Sequence, residues 1–129
     1  SVGSGPTCWL ARKQKTAGIV LHSPFMSGMR VLTSNRCLAC LDIYPNLSRV
    51  AEVQCPVLVI HGQEDREVDW SHGVNLWNTI PDKFRVEPWW VPERGHNNIC
   101  QGQTALREYH RRLRVFIDGL EKASGSADA

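Results

Sequence analysis

No apolar run in this chain approaches the ~18–20 residues that a bilayer-crossing helix requires, so no transmembrane helix is expected. Charge of one sign is scarce as well. The formal net charge is +2, and no basic run carries interleaved aromatics, so nucleic acid is not an expected partner. There is no Gly-rich phosphate loop, no C-x-x-C pair repeated at zinc spacing and no H-x-x-x-H pair. Phosphate-loop and structural-zinc chemistry are therefore without support, and no cofactor is expected. The opening Ser1-Val2-Gly3 has neither the basic nor the apolar character of a signal peptide, and no Met begins it. A processed product or a fragment of a longer one is the expectation. Internal repeats and a dividing linker are also missing.

The five cysteines, Cys8, Cys37, Cys40, Cys55 and Cys100, are odd in number and irregularly spaced. That argues against a closed disulfide framework and for reduced thiols in a cytoplasmic setting. Cys37-Leu38-Ala39-Cys40 reads C-x-x-C, but without a second pair or a redox-type βα context it is taken as incidental.

What is present is a chain of 129 residues, 42% hydrophobic and 22% charged, as in one soluble globular domain. Residues 17–22 and 57–61 are short apolar runs suited to strands buried on both faces, and residues 86–91 suggest a third strand. Helices are expected over residues 7–15, 47–53 (with Asn46 as cap), 70–79 and 103–120, the last carrying apolar residues at helical spacing. Residues 23–46 form an excursion without periodicity. The alternation implies an α/β fold of about three parallel strands with helices on both faces. Residues 1–121 are read as the folded portion and 122–129 as a disordered tail.

Three stretches carry chemistry, in the chain order nucleophile, acid, base that typifies the α/β-hydrolase fold. Ser1-Val2-Gly3-Ser4-Gly5-Pro6 reads as the second half of a G-x-S-x-G nucleophile elbow, with Ser1 as nucleophile and the Val2 backbone N–H as oxyanion donor. Gly3 would let the following helix pass close behind the turn. Ser4, Ser23 and Ser27 are fallback nucleophiles without the same glycine framing. Asp65 lies just past Gly62 at the carboxyl end of a buried strand, where ligands and catalytic groups gather in open parallel sheets. Glu64 and Asp69 are its rivals and are read as solvated. His96, between Gly95 and Asn97-Asn98, is the candidate base. His22 and His61 are read as core residues, and His72 and His110 as ordinary helical ones. Arg107, Arg111, Arg112 and Arg114 make a basic face, read as solvated with weak attraction to an anionic membrane as the functional alternative. The five tryptophans are core material, with Trp70 a candidate wall for an acyl pocket.

At these residues the chain resembles a specific family. Ser1-Val2-Gly3-Ser4-Gly5-Pro6-Thr7, Val20-Leu21-His22-Ser23-Pro24-Phe25-Met26-Ser27-Gly28-Met29-Arg30-Val31 and Asp42-Ile43-Tyr44-Pro45-Asn46 are three matches. Pro56-Val57-Leu58-Val59-Ile60-His61-Gly62-Gln63-Glu64-Asp65 with Ser71-His72-Gly73, and Gly95-His96-Asn97, complete them. Together they resemble the C-terminal half of the α/β-hydrolase domain-containing 17 group, membrane-associated serine hydrolases that remove palmitate from cysteines. The departures are Pro92-Glu93-Arg94 before Gly95, the stretch 33–39, and extra residues between His96 and the last helix.

The resemblance places nucleophile, acid and base on Ser1, Asp65 and His96. It implies a palmitoyl-protein thioesterase acting on an acylated protein or lipid ester, cytoplasmic and peripheral on the cytosolic face of membranes. It also implies a missing N-terminal half of the hydrolase domain, without which this chain is expected to be inactive. A general carboxylesterase, lipase or serine peptidase-like hydrolase, an N-terminal-nucleophile hydrolase, and a non-catalytic interaction module remain open alternatives.

Overall fold

A computed structural model describes residues 1–26 and 45–127. Ser27, Cys37 and Cys40, and with them most of the 23–46 excursion, lie outside the described residues. The order is α1 (Ser4–Lys13), β1 (Ile19–His22), α2 (Asn46–Val50), β2 (Val57–Gly62), α3 (Trp70–Thr79), a 3₁₀ turn (Asp82–Phe84), β3 (Trp89–Val91) and α4 (Gln103–Ala127). The described strands form one parallel sheet in the order β1-β2-β3, with Leu21 opposite Val59 and His61 opposite Trp90.

β2 is buried along its whole length. A strand with neighbours on both edges and helices on both faces reads as a continuous apolar run rather than an alternating one, as Val57-Leu58-Val59-Ile60 does. Val57 and Val59 join a cluster with Cys8, Val50, Leu76 and Ile80 on the face covered by α1, α2 and α3. Leu58 and Ile60 join Trp89, Val91, Ile99 and Phe116 on the face covered by α4. Each fully buried aliphatic side chain contributes about 1.5–3 kcal/mol, so β2 is the element that holds both layers.

Several boundaries differ from the sequence expectation for identifiable reasons. α1 starts at Ser4, not residue 7, because Pro6 falls within the first turn, where a missing N–H leaves no helical bond unmade. α2 is capped by Pro45, and Asn46 is not the cap but a fully buried residue. Its Nδ2 donates to Phe25 O at 2.8 Å and Ser4 Oγ at 3.1 Å. β3 is confined to three residues, since Pro88 has no N–H for the ladder and Val86 O accepts instead from Trp77 Nε1 at 2.8 Å. α4 runs on to Ala127, through residues expected to lack order. Extending an existing helix adds a hydrogen bond for each residue fixed, without a new nucleus.

Candidate active site

β2 ends at Gly62, and the chain then turns so that Asp65 N donates back to Gly62 O at 3.3 Å. Glycine is required there, because a Cβ would collide with Arg94 O of the loop after β3. That close approach is what brings the two loops together. Glu64 N donates to Arg94 O at 2.9 Å and Gln63 N to Val91 O at 2.9 Å. On the other side of the seam, Asn98 Oδ1 accepts from Gly95 N at 2.7 Å and closes the turn that carries His96.

The result is a hydrogen bond of 2.7 Å between His96 Nδ1 and Asp65 Oδ2. The Asp65 side chain is fully buried and that of His96 is 9% exposed. Asp65 Oδ1 accepts from Glu67 N at 2.9 Å and Val68 N at 2.8 Å. Burial on its own would push the Asp65 carboxyl upward, but the donors from Val68, His96 and Glu67 hold it below its ordinary value. Asp65 is therefore a carboxylate accepting from an imidazole N–H, which leaves His96 Nε2 as the acceptor nitrogen. Glu67 Oε2 stands 4.0 Å from that nitrogen.

Ser1 shares with His96 a cleft of about 340 Å³, lined also by His22, Ser23, Asn97, Ile99 and Cys100. Its backbone is held where α1 begins. The amine donates to His22 O at 3.0 Å, and Ser1 O accepts from Ser4 N at 3.0 Å and Ser4 Oγ at 2.6 Å. Among the described residues no hydrogen bond joins Ser1 Oγ to His96. Ser1 and Val2 are both exposed, and Gly3 faces open space rather than a closely passing element.

The two described fallback serines, Ser4 and Ser23, have structural positions. Ser4 is buried and relays Asn46 to Ser1 O. Ser23, buried and at φ 48°, donates through N to Ile60 O at 2.8 Å and through Oγ to His96 O at 3.4 Å. Glu64 and Asp69 are both exposed, as expected, and Asp69 also caps α3, its Oδ1 accepting from Ser71 N at 2.9 Å. His72 is not an ordinary helical residue. It is buried, and its Nδ1 accepts from Met26 N at 3.2 Å. Trp70 packs edge-on against Trp90, their ring centroids 6.0 Å apart, and does not line the cleft.

Among the described residues no helix is long and apolar enough to cross a membrane, and no cluster of His, Cys, Asp or Glu could hold a metal ion. Cys8, Cys55 and Cys100 are free thiols. Burial pushes the Cys8 thiol up to about 12, against the nearby Arg49, so it has no thiolate character.

A parallel sheet sandwiched by helices, with a carboxylate after one strand and its histidine partner after the next, defines the C-terminal portion of an α/β-hydrolase domain. No family model matches the chain. It is 44% identical over 119 residues to the alpha/beta hydrolase domain-containing protein aho-3 of Caenorhabditis elegans, a match over 92% of this chain and 34% of that protein. To alpha/beta hydrolase domain-containing protein 17C of Homo sapiens it is 42% identical over 118 residues, 91% of this chain and 34% of that one. The chain thus spans about a third of the length of these curated relatives. Uncomplexed Pyrococcus horikoshii acylaminoacyl peptidase superimposes with a TM-score of 0.62 over 92% of this chain and 22% of its own, at 15% identity. That likeness is one of fold. By fold the chain is an α/β-hydrolase portion, and by sequence it is similar to the α/β-hydrolase domain-containing 17 group.

Proposed function

We propose that Ser1, Asp65 and His96 are the nucleophile, acid and base of a serine hydrolase, and that the protein to which they belong is a thioesterase releasing long acyl chains from protein cysteines. The observation that carries the reading is the 2.7 Å bond between Asp65 and His96, at the rim of a cleft that Ser1 also lines. Asp65 fixes the tautomer in which Nε2 can accept the Ser1 hydroxyl proton, and its charge stabilises the imidazolium that forms. Ser1 Oγ then attacks the acyl carbonyl, and the Val2 N–H supports the oxyanion. The tetrahedral intermediate collapses, and the cysteine thiolate leaves and takes the proton from His96. The neutral imidazole then draws a proton from water, whose attack on the serine ester frees the fatty acid as His96 returns that proton to Ser1. The parallel sheet speaks against the N-terminal-nucleophile alternative, whose folds are layered antiparallel sheets.

The choice of an acyl-cysteine substrate rests on the sequence similarity. The membrane reading of α4 gains little from the structure, since Glu108 binds Arg111 and Arg112 at 2.7 Å each. We further propose that the 129-residue chain acts weakly alone, because loss of a single oxyanion donor costs about 10²–10³ in rate. A fluorophosphonate probe tests both statements, applied to this chain and to a longer product carrying residues ahead of Ser1. Labelling of the longer product at Ser1, lost in Ser1→Ala and His96→Ala, is the expected result. Labelling at Ser4 or Ser23 overturns the triad, and robust labelling of the isolated chain overturns its proposed weakness.

A further inference from the structure

A second imidazole stands behind the first. His61, the next-to-last residue of β2, is fully buried, and its Nε2 lies 2.8 Å from Val68 O and 3.2 Å from Asp65 Oδ2. Its other ring nitrogen, Nδ1, is buried without a hydrogen-bond partner. The reason is the helix covering that side. A Cβ on Gly73 would sit 2.6 Å from His61 Nδ1, so α3 packs its backbone directly against the ring. These contacts fix the proton. A carbonyl oxygen can only accept, so Nε2 must carry the hydrogen, whereas a hydrogen on Nδ1 would be a buried donor with nothing to bond. Burial also keeps the ring neutral, outweighing the pull of Val68 O and Asp65.

We propose that His61 is a positioning residue for the Asp65–His96 pair, its Nε2–H shared between Val68 O and the same carboxylate oxygen that His96 uses. This rests on the triad reading and deepens it. Oδ1 is already held by two backbone N–H groups, so the carboxylate plane does not depend on His61. What His61 governs is Oδ2. A second donor there draws charge from the oxygen and weakens its bond to His96, and the tie to Val68 O keeps the acid loop closed over β2. Loop, acid and base are thereby joined to the central strand through one neutral ring.

The test is nitrogen-15 NMR of the histidine rings in the 129-residue chain, with His61→Leu and His61→Gln as variants. In the unmodified chain His61 should show a protonated Nε2 and a bare Nδ1. A proton on Nδ1 overturns the proposal. The hydrogen-bonded Nδ1 proton of His96 should move downfield in His61→Leu, as Oδ2 loses its second donor, and return toward its original position in His61→Gln, which restores an N–H. Folding is followed by circular dichroism. An unmoved His96 proton in a folded His61→Leu chain overturns the proposal, as does unfolding of both variants, which would make the ring packing alone. The triad reading fails separately, if His96→Ala leaves fluorophosphonate labelling of the longer product intact.

Discussion

The two ends of the proposed triad are built differently. Asp65 and His96 sit on loops sewn to each other and to β2, with the Asp65 side chain fully buried and its carboxylate met by donors on both oxygens. Ser1 has a fixed backbone but an exposed position, with neighbouring Val2 67% exposed. The Asp65–His96 pair is thus assembled by the loops that follow β2 and β3. The candidate nucleophile is held only through its backbone, at the start of α1 and by His22 O.

Equal cuts at the two ends should break that contrast most visibly. Ile60→Ala, in the middle of β2 and fully buried, should lower stability by about 2–5 kcal/mol. Val2→Ala should stay within about 0.5 kcal/mol. Urea denaturation measures both, and similar losses would erase the distinction. Next in size is Gly62→Ala, which drives a methyl group into Arg94 O. It should cost about 1–3 kcal/mol and separate the His96 loop from the acid loop, seen as loss of the His96 Nδ1 proton signal. Asp69→Ala removes the cap of α3 and should cost about 0.5–2 kcal/mol, leaving that signal in place.

The smallest effect is one of pH. The Asp65 carboxyl is held below its ordinary value of 3.8. Its contribution is therefore complete well above that pH and is lost as pH falls through the lower folded value. Asp65→Asn should flatten the acid side of the stability profile and leave the neutral side parallel. An unchanged acid side would mean that the carboxylate is not held as described.

Much of this was legible in the sequence where local pattern and tertiary role coincide. The run Val57-Leu58-Val59-Ile60 announces a buried strand, and the Gly and acid past its end announce the turn from which Asp65 meets His96. The sheet, its parallel sense and the pairing of residues 65 and 96 follow from such signals. Asn46 and His72 did not reveal themselves, because a buried polar residue is defined by what folds against it, and His61 was legible as a core residue but not as a neighbour of Asp65. Asn46 looks like a cap until Ser4 and Phe25 meet its amide. Gly73 hints at what covers His61, as a glycine inside a helix marks close packing, but the ring it touches lies in a different element.

The central claim is that this chain alone assembles the acid and the base. Proton NMR of the 129-residue chain at neutral pH tests it through the His96 Nδ1–H. A downfield, exchange-protected resonance that disappears in Asp65→Ala is the predicted result, while its absence from the unmodified chain, or its survival in Asp65→Ala, would contradict the account.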